Sequence, residues 1–159
     1  MNLRIIAIGK IREKFIQDGI AEYSKRLAAY GRLEIVELRE ESFREPLSAK
    51  ERLQIVTKEG ERILAQLGNR SFVFVLDPRG RSLSSEAFAE QLMSMAVQGI
   101  SLVEFVIGGA LGLSQAVIER ADFVLSFSEF TFPHQLMRLI LAEQLYRAMT
   151  IIRGEHYHK

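Results

Sequence analysis

Three short segments carry residue types able to meet a ligand: Leu76-Asp77-Pro78-Arg79-Gly80, Gly108-Gly109-Ala110-Leu111-Gly112-Leu113-Ser114, and Phe127-Ser128-Glu129-Phe130-Thr131-Phe132-Pro133-His134. Each follows an apolar run. Glycine after a strand lets backbone N–H groups approach a ligand, so the second segment suits a phosphate or the polar edge of a nucleoside, or else makes a tight strand-to-helix turn. Its spacing is not GxGxxG and the chain holds no GK[ST], which disfavours a dinucleotide fold and a P-loop. The turn Ile8-Gly9-Lys10 is equally poor for either. All three histidines, His134, His156 and His158, fall in the last 26 residues. His134 follows Pro133 at a helix start, where the helix dipole disfavours imidazolium, so a neutral hydrogen-bonding or capping group is expected. The ending His156-Tyr157-His158-Lys159 is either a frayed terminus or a cationic, aromatic arm that stacks on a base and touches phosphates.

The elements that must position these segments alternate. A strand over Leu3 to Ile8 precedes a helix whose stripe is Ile16, Ile20, Tyr23, Leu27 and Tyr30, with Gly31 as its expected cap. Leu33 to Leu38, interrupted by Glu34 and Glu37, reads as an edge strand. Ser48 with Glu51 is a capping-box signature opening a surface helix with Leu53, Val56, Ile63 and Leu67 inward. Phe72 to Leu76 and Leu102 to Ile107 are nearly all apolar, as central parallel strands are. Between them a helix runs from Ser85 to Gln98, capped by Gly99. A short helix starts near Ser114, a fifth strand covers Phe123 to Ser126, and a long helix runs from His134 to Arg153, ending at Gly154. This alternation predicts a three-layer α/β domain over residues 1–159 with a mostly parallel sheet and ligands beyond the strands' carboxyl ends.

The last helix has apolar residues around its whole circumference, from Leu136, Leu139 and Ile140 to Met149, Ile151 and Ile152. Packing on its own sheet with one face and on a second subunit with another makes a homodimer the simplest solution, complete burial within one chain being the other. Glu143 and Arg147, four apart, suit a helical ion pair.

A 159-residue chain that is 48% hydrophobic is too apolar for disorder, and without an apolar run of about 18 residues it is not expected to span a membrane. With no Cys, disulfides, thiolate metal sites and a Cys nucleophile are excluded; the opening residues lack a signal-peptide pattern, and the expected location is the cytoplasm. A formal net charge of +1 excludes generic phosphate attraction, so nucleic acid would have to be held by a local patch.

Taken together, Val106-Ile107-Gly108-Gly109, Leu125-Ser126-Phe127-Ser128, Thr131-Phe132-Pro133-His134-Gln135, Met137-Arg138, Glu143-Gln144, Tyr146-Arg147-Ala148 and Tyr157-His158-Lys159, with Ala7 to Lys10 and Glu22 to Arg26 nearer the start, resemble the ribosomal RNA large-subunit methyltransferase H family, small SPOUT-class enzymes. The resemblance covers essentially the whole chain. It implies a homodimer with a C-terminal trefoil knot, S-adenosylmethionine bound against the knot loops and no metal. It also implies methyl transfer to N3 of a pseudouridine in large-subunit rRNA of the assembled ribosome. By position, Leu76, Gly108 and Phe127, Ser128, Glu129, Phe130, Thr131 and Phe132 would line the cofactor site. Arg147, Tyr157, His158 and Lys159 would hold the RNA, the tail completing the partner subunit's site. Asp77-Pro78-Arg79 and Ala110-Leu111 depart from the family pattern. Two other classes share parts of this reading: a flavodoxin-like protein, which would need a phosphate loop after strand one, and a non-catalytic ribosome-associated nucleoside-binding protein.

Overall fold

The computed structural model describes residues 1–159. The elements are β1 (Asn2–Ile8), α1 (Lys14–Leu27), β2 (Leu33–Leu38), α2 (Ala49–Gln66), β3 (Phe72–Ser82), α3 (Ser85–Val97), β4 (Leu102–Ile107), α4 (Gln115–Arg120), β5 (Phe123–Ser126) and α5 (His134–Arg153). All five strands pair in parallel in the order β2-β1-β4-β3-β5. The apolar β4 is therefore the middle strand with β3 beside it, and the glutamate-interrupted β2 is an edge.

Side chains alternate across the sheet with the period of two that a strand imposes, and this sorts the core into two layers. Leu3, Ile5 and Ala7 of β1 join Phe74, Phe105 and the inner faces of α3 and α5, where the Phe74 and Phe105 rings stack with centroids 5.0 Å apart. Ile6 and Ile8 point the other way, to Val73, Val75, Val106, Ile63 of α2 and Val117 of α4. The three-layer expectation holds.

Helix ends follow local chemistry where a side chain or a left-handed glycine provides it. Ser48 accepts from Glu51 N at 3.1 Å while the Glu51 carboxylate takes Ser48 N at 2.7 Å, the reciprocal capping box expected. Gly99 and Gly154 adopt φ of 81° and 67°, the left-handed conformation that closes α3 and α5. Gly31 does not: α1 closes earlier, through right-handed Ala28, and Gly31 is small because a Cβ there would stand 2.9 Å from the Met1 carbonyl. One helix face and one strand boundary also differ. Leu53 is 64% exposed, so the buried face of α2 is Glu59, Gly60 and Ile63. β3 also extends to Ser82: it leaves the ladder after Leu76 and rejoins at Arg81, both opposite Leu125 of β5.

α5 lies on the sheet between α1 and α3, with Gly19 of α1 against Leu139 and Ser85 of α3 donating to Gln144 at 2.7 Å. These neighbours cover much of its apolar circumference inside one chain. Leu136, Ile140, Glu143 and Arg147, spaced along one stripe, remain half-buried.

Candidate functional site

Beyond the carboxyl ends of β4 and β5 and beside the 77–80 excursion of β3 lies a cavity of about 600 Å³, walled by Leu76 to Pro78 of β3, by the segments that follow β4 and β5, and by His134 and Met137 of α5. This is where an open parallel sheet places ligands. The middle wall folds back on itself through a bond from Gly112 N to Gly109 O at 3.1 Å, Gly112 having φ of 88°. Glycine is required there by space as well: a Cβ on Gly108 would lie 2.9 Å from Leu113 Cδ2, and one on Gly109 3.0 Å from Glu59 Oε1. Glu59 is buried behind this loop, its carboxyl pushed up by burial, and accepts from Glu41 N at 3.1 Å. The third wall is shaped by Ser128, whose Oγ accepts from Phe130 N at 3.0 Å and whose carbonyl accepts from Ser126 Oγ at 3.2 Å.

The cavity walls are mainly apolar side chain and backbone, with two ionisable groups, Asp77 and His134. Arg79 donates to Asp77 from its backbone N at 2.8 Å and from Nε and Nη2 at 2.9 Å each, and these bonds hold the carboxyl below its ordinary range. Burial pushes the His134 imidazole down, with the Arg138 charge acting the same way. His134 is thus biased to neutrality, as expected, but by burial; it makes no side-chain cap bond.

Arg138, one turn further along α5, is fully buried. It donates from Nη1 to Glu37 Oε2 at 2.9 Å and from Nη2 to the Ile8 carbonyl at 2.6 Å, while Nε has no acceptor. It ties the first turn of α5 to the ends of β1 and β2.

Of the residues assigned by position to the cofactor, Leu76, Gly108, Phe127, Ser128, Phe130, Thr131 and Phe132 line the cavity, and Glu129 in the same loop faces solvent. Arg147, Tyr157 and His158 assemble elsewhere, at the far end of α5. Arg147 donates to Glu143 Oε1 from Nε at 3.1 Å and Nη2 at 2.7 Å and covers the Tyr157 ring at 4.8 Å. Tyr157 OH donates to the same oxygen at 3.0 Å, and its ring meets Tyr146 edge-on at 4.8 Å. Burial, with Tyr23 and Glu143 nearby, pushes the Tyr157 phenol up. Arg147 Nη1 lies 3.3 Å from His158 Nδ1, and His158 Nε2 lies 2.7 Å from Glu86 Oε1. Because a guanidinium only donates, Nδ1 accepts and Nε2–H faces Glu86. The tail is therefore docked on α5 and α3, with Lys159 exposed at its end. No group of three or more His, Asp or Glu is placed to hold a metal.

Arg147 is thirteen residues beyond His134 on one helix, roughly 20 Å along its axis at the α-helical rise. The chain does not bring its own tail cluster to its own cavity. Sequence reasoning passed over Glu86, whose only signal is its position in the first turn of α3, and placed Asp77 in a ligand-facing segment without giving it a role.

The profile of the family described as "Predicted SPOUT methyltransferase" matches residues 1–158. The chain belongs to the SPOUT methyltransferase family. Within it, this SPOUT chain is 55% identical to the ribosomal RNA large subunit methyltransferase H of Carboxydothermus hydrogenoformans and 52% identical to that of Limosilactobacillus fermentum, each over the full length of both chains. The resemblance carried by its motifs is thereby borne out. Among solved structures, the SPOUT fold of this chain is shared with a probable methylase family protein from Haemophilus influenzae, TM-score 0.55 at 13% identity over 99% of this chain and 70% of that one. A probable methyltransferase from Bordetella pertussis matches with TM-score 0.53 at 17% identity, over 92% of this chain and 95% of that one.

Proposed function

We propose that the chain is an S-adenosylmethionine-dependent methyltransferase that modifies N3 of a pseudouridine in large-subunit rRNA on assembled ribosomes, acting in the cytoplasm as a homodimer with a C-terminal trefoil knot. The observation that carries the reading is the cavity itself. Its walls hold no Lys or Arg to meet a phosphate, and its apolar surfaces, exposed backbone and single carboxylate suit an uncharged nucleoside bearing a cationic group. S-adenosylmethionine has that chemistry. The knot reading is supported by the return of the 77–80 excursion to Leu125 and by the tightness of that passage, where a Cβ on Gly80 would lie 2.6 Å from the Val124 carbonyl oxygen.

When bound, S-adenosylmethionine supplies a methyl group on a sulfonium, and transfer then depends mainly on holding the acceptor in line. Leu76, Gly108 and the Phe127 to Phe132 loop hold the adenosine. Arg147, Tyr157, His158 and Lys159 hold the nucleotide, and the positive charge of Arg147 and Lys159 biases the weakly acidic N3–H toward its anion. The separation of tail cluster and cavity along α5 supports a site built from one protomer's cavity and its partner's tail, with the stripe of Leu136, Ile140, Glu143 and Arg147 at the join.

Ribosomes isolated with and without the pseudouridine, incubated with methyl-labelled S-adenosylmethionine, test the reading. Label is expected in large-subunit rRNA only where the pseudouridine is present. Label independent of that base would overturn the substrate, and none in either sample would overturn the activity.

A further inference from the structure

Asp77 and Arg79 form a pair that the sequence singles out and that the transfer of a methyl group does not by itself require. Asp77 is the sole carboxylate in the cavity wall, its side chain only 11% exposed, whereas the Arg79 side chain is 77% exposed. The two charges are therefore screened unequally: solvent damps the guanidinium field, while the carboxylate faces a less polarisable space. The bond from Arg79 N to Asp77 Oδ1 fixes the carboxylate independently of the guanidinium. His134 adds little opposing charge, since burial favours its neutral form, and the buried Arg138 charge is matched by Glu37.

We propose that Asp77 is a charge-selecting residue of the cavity, making it prefer the cationic methyl donor to the neutral product left after transfer, with Arg79 tempering that preference. The inference rests on the cofactor reading above. S-adenosylmethionine carries one net positive charge and S-adenosylhomocysteine none, so an anion in the wall distinguishes them by field alone and favours exchange of spent product for fresh donor.

Calorimetric titration of the full chain with S-adenosylmethionine, S-adenosylhomocysteine and sinefungin, which has a protonated amine in place of the methylated sulfur, tests this. Asp77→Asn keeps the shape and the acceptor for Arg79 N. It is expected to weaken both cationic ligands about ten-fold relative to S-adenosylhomocysteine. Arg79→Gln, at an exposed side chain, is expected to move the ratio the opposite way. Parallel losses for all three ligands with Asp77→Asn would show a merely structural role and overturn the inference, as would an unchanged ratio in both variants. Wild-type protein that binds none of the three would overturn the cofactor reading itself, and this inference with it.

Discussion

His134 opens α5 as a half-buried imidazole in the cavity wall, with the Arg138 guanidinium a turn away. Its ordinary value lies near 6.5, and burial lowers it in the folded chain. Below 6.5 the unfolded chain takes up a proton that the folded chain still refuses, so stability falls with pH from there until the folded-state value is passed. The urea midpoint is therefore expected to drop between pH 7.5 and pH 5.5 by less in His134→Gln than in wild type; equal drops would contradict the assignment. A neutral His134 was legible from its place at a helix start, but its cause was not. Arg138 was legible only as part of a family motif, because its partners Glu37 and Ile8 stand 101 and 130 positions away and no local pattern carries that pairing.

Elements whose ends are set by adjacent residues were the readable ones. The Ser48 box and the glycines after α3 and α5 act within a turn of themselves, and the sequence displays them. Gly31 misleads because the same residue type answers a different need, the approach of the Met1 carbonyl. Gly60, in the middle of α2, is silent in sequence for the same reason. A Cβ on it would overlap the Ser114 hydroxyl, the group that caps α4 by accepting from Val117 N, and would stand 3.0 Å from Ser114 Cβ. Gly60→Ala, which would improve an exposed helix, is instead expected to destabilise the chain by about 1–3 kcal/mol in urea unfolding, because the clash falls on a buried cap. A stabilised Gly60→Ala protein would show that α2 and α4 do not approach as closely as described.

At the scale of the whole molecule, composition excluded a chain that grips RNA by bulk charge, and the proposed function puts a local cluster in its place. Arg147, Tyr157 and His158 are gathered at one end of α5, held by Glu143 and Glu86, and the cavity sits at the other. The three cavity loops were legible because glycine and aromatic residues follow apolar strands, and so was the single long helix that separates cavity from tail; the docking of His158 against Glu86 was not, because that partner stands 72 positions away in α3. If each site joins one protomer's cavity to its partner's tail, two differently damaged chains must rescue each other. The direct measurement pairs Gly108→Val, whose side chain would strike Leu113 and the Gly112 carbonyl, with a chain lacking residues 156–159. Each alone is expected to be inactive on ribosomes. Mixed and re-associated in equal amounts they are expected to recover about a quarter of wild-type methylation, since half of the dimers are then hybrids with one intact site in two. A mixture as inactive as its parents, with hybrids demonstrably formed, would contradict a site shared between two chains.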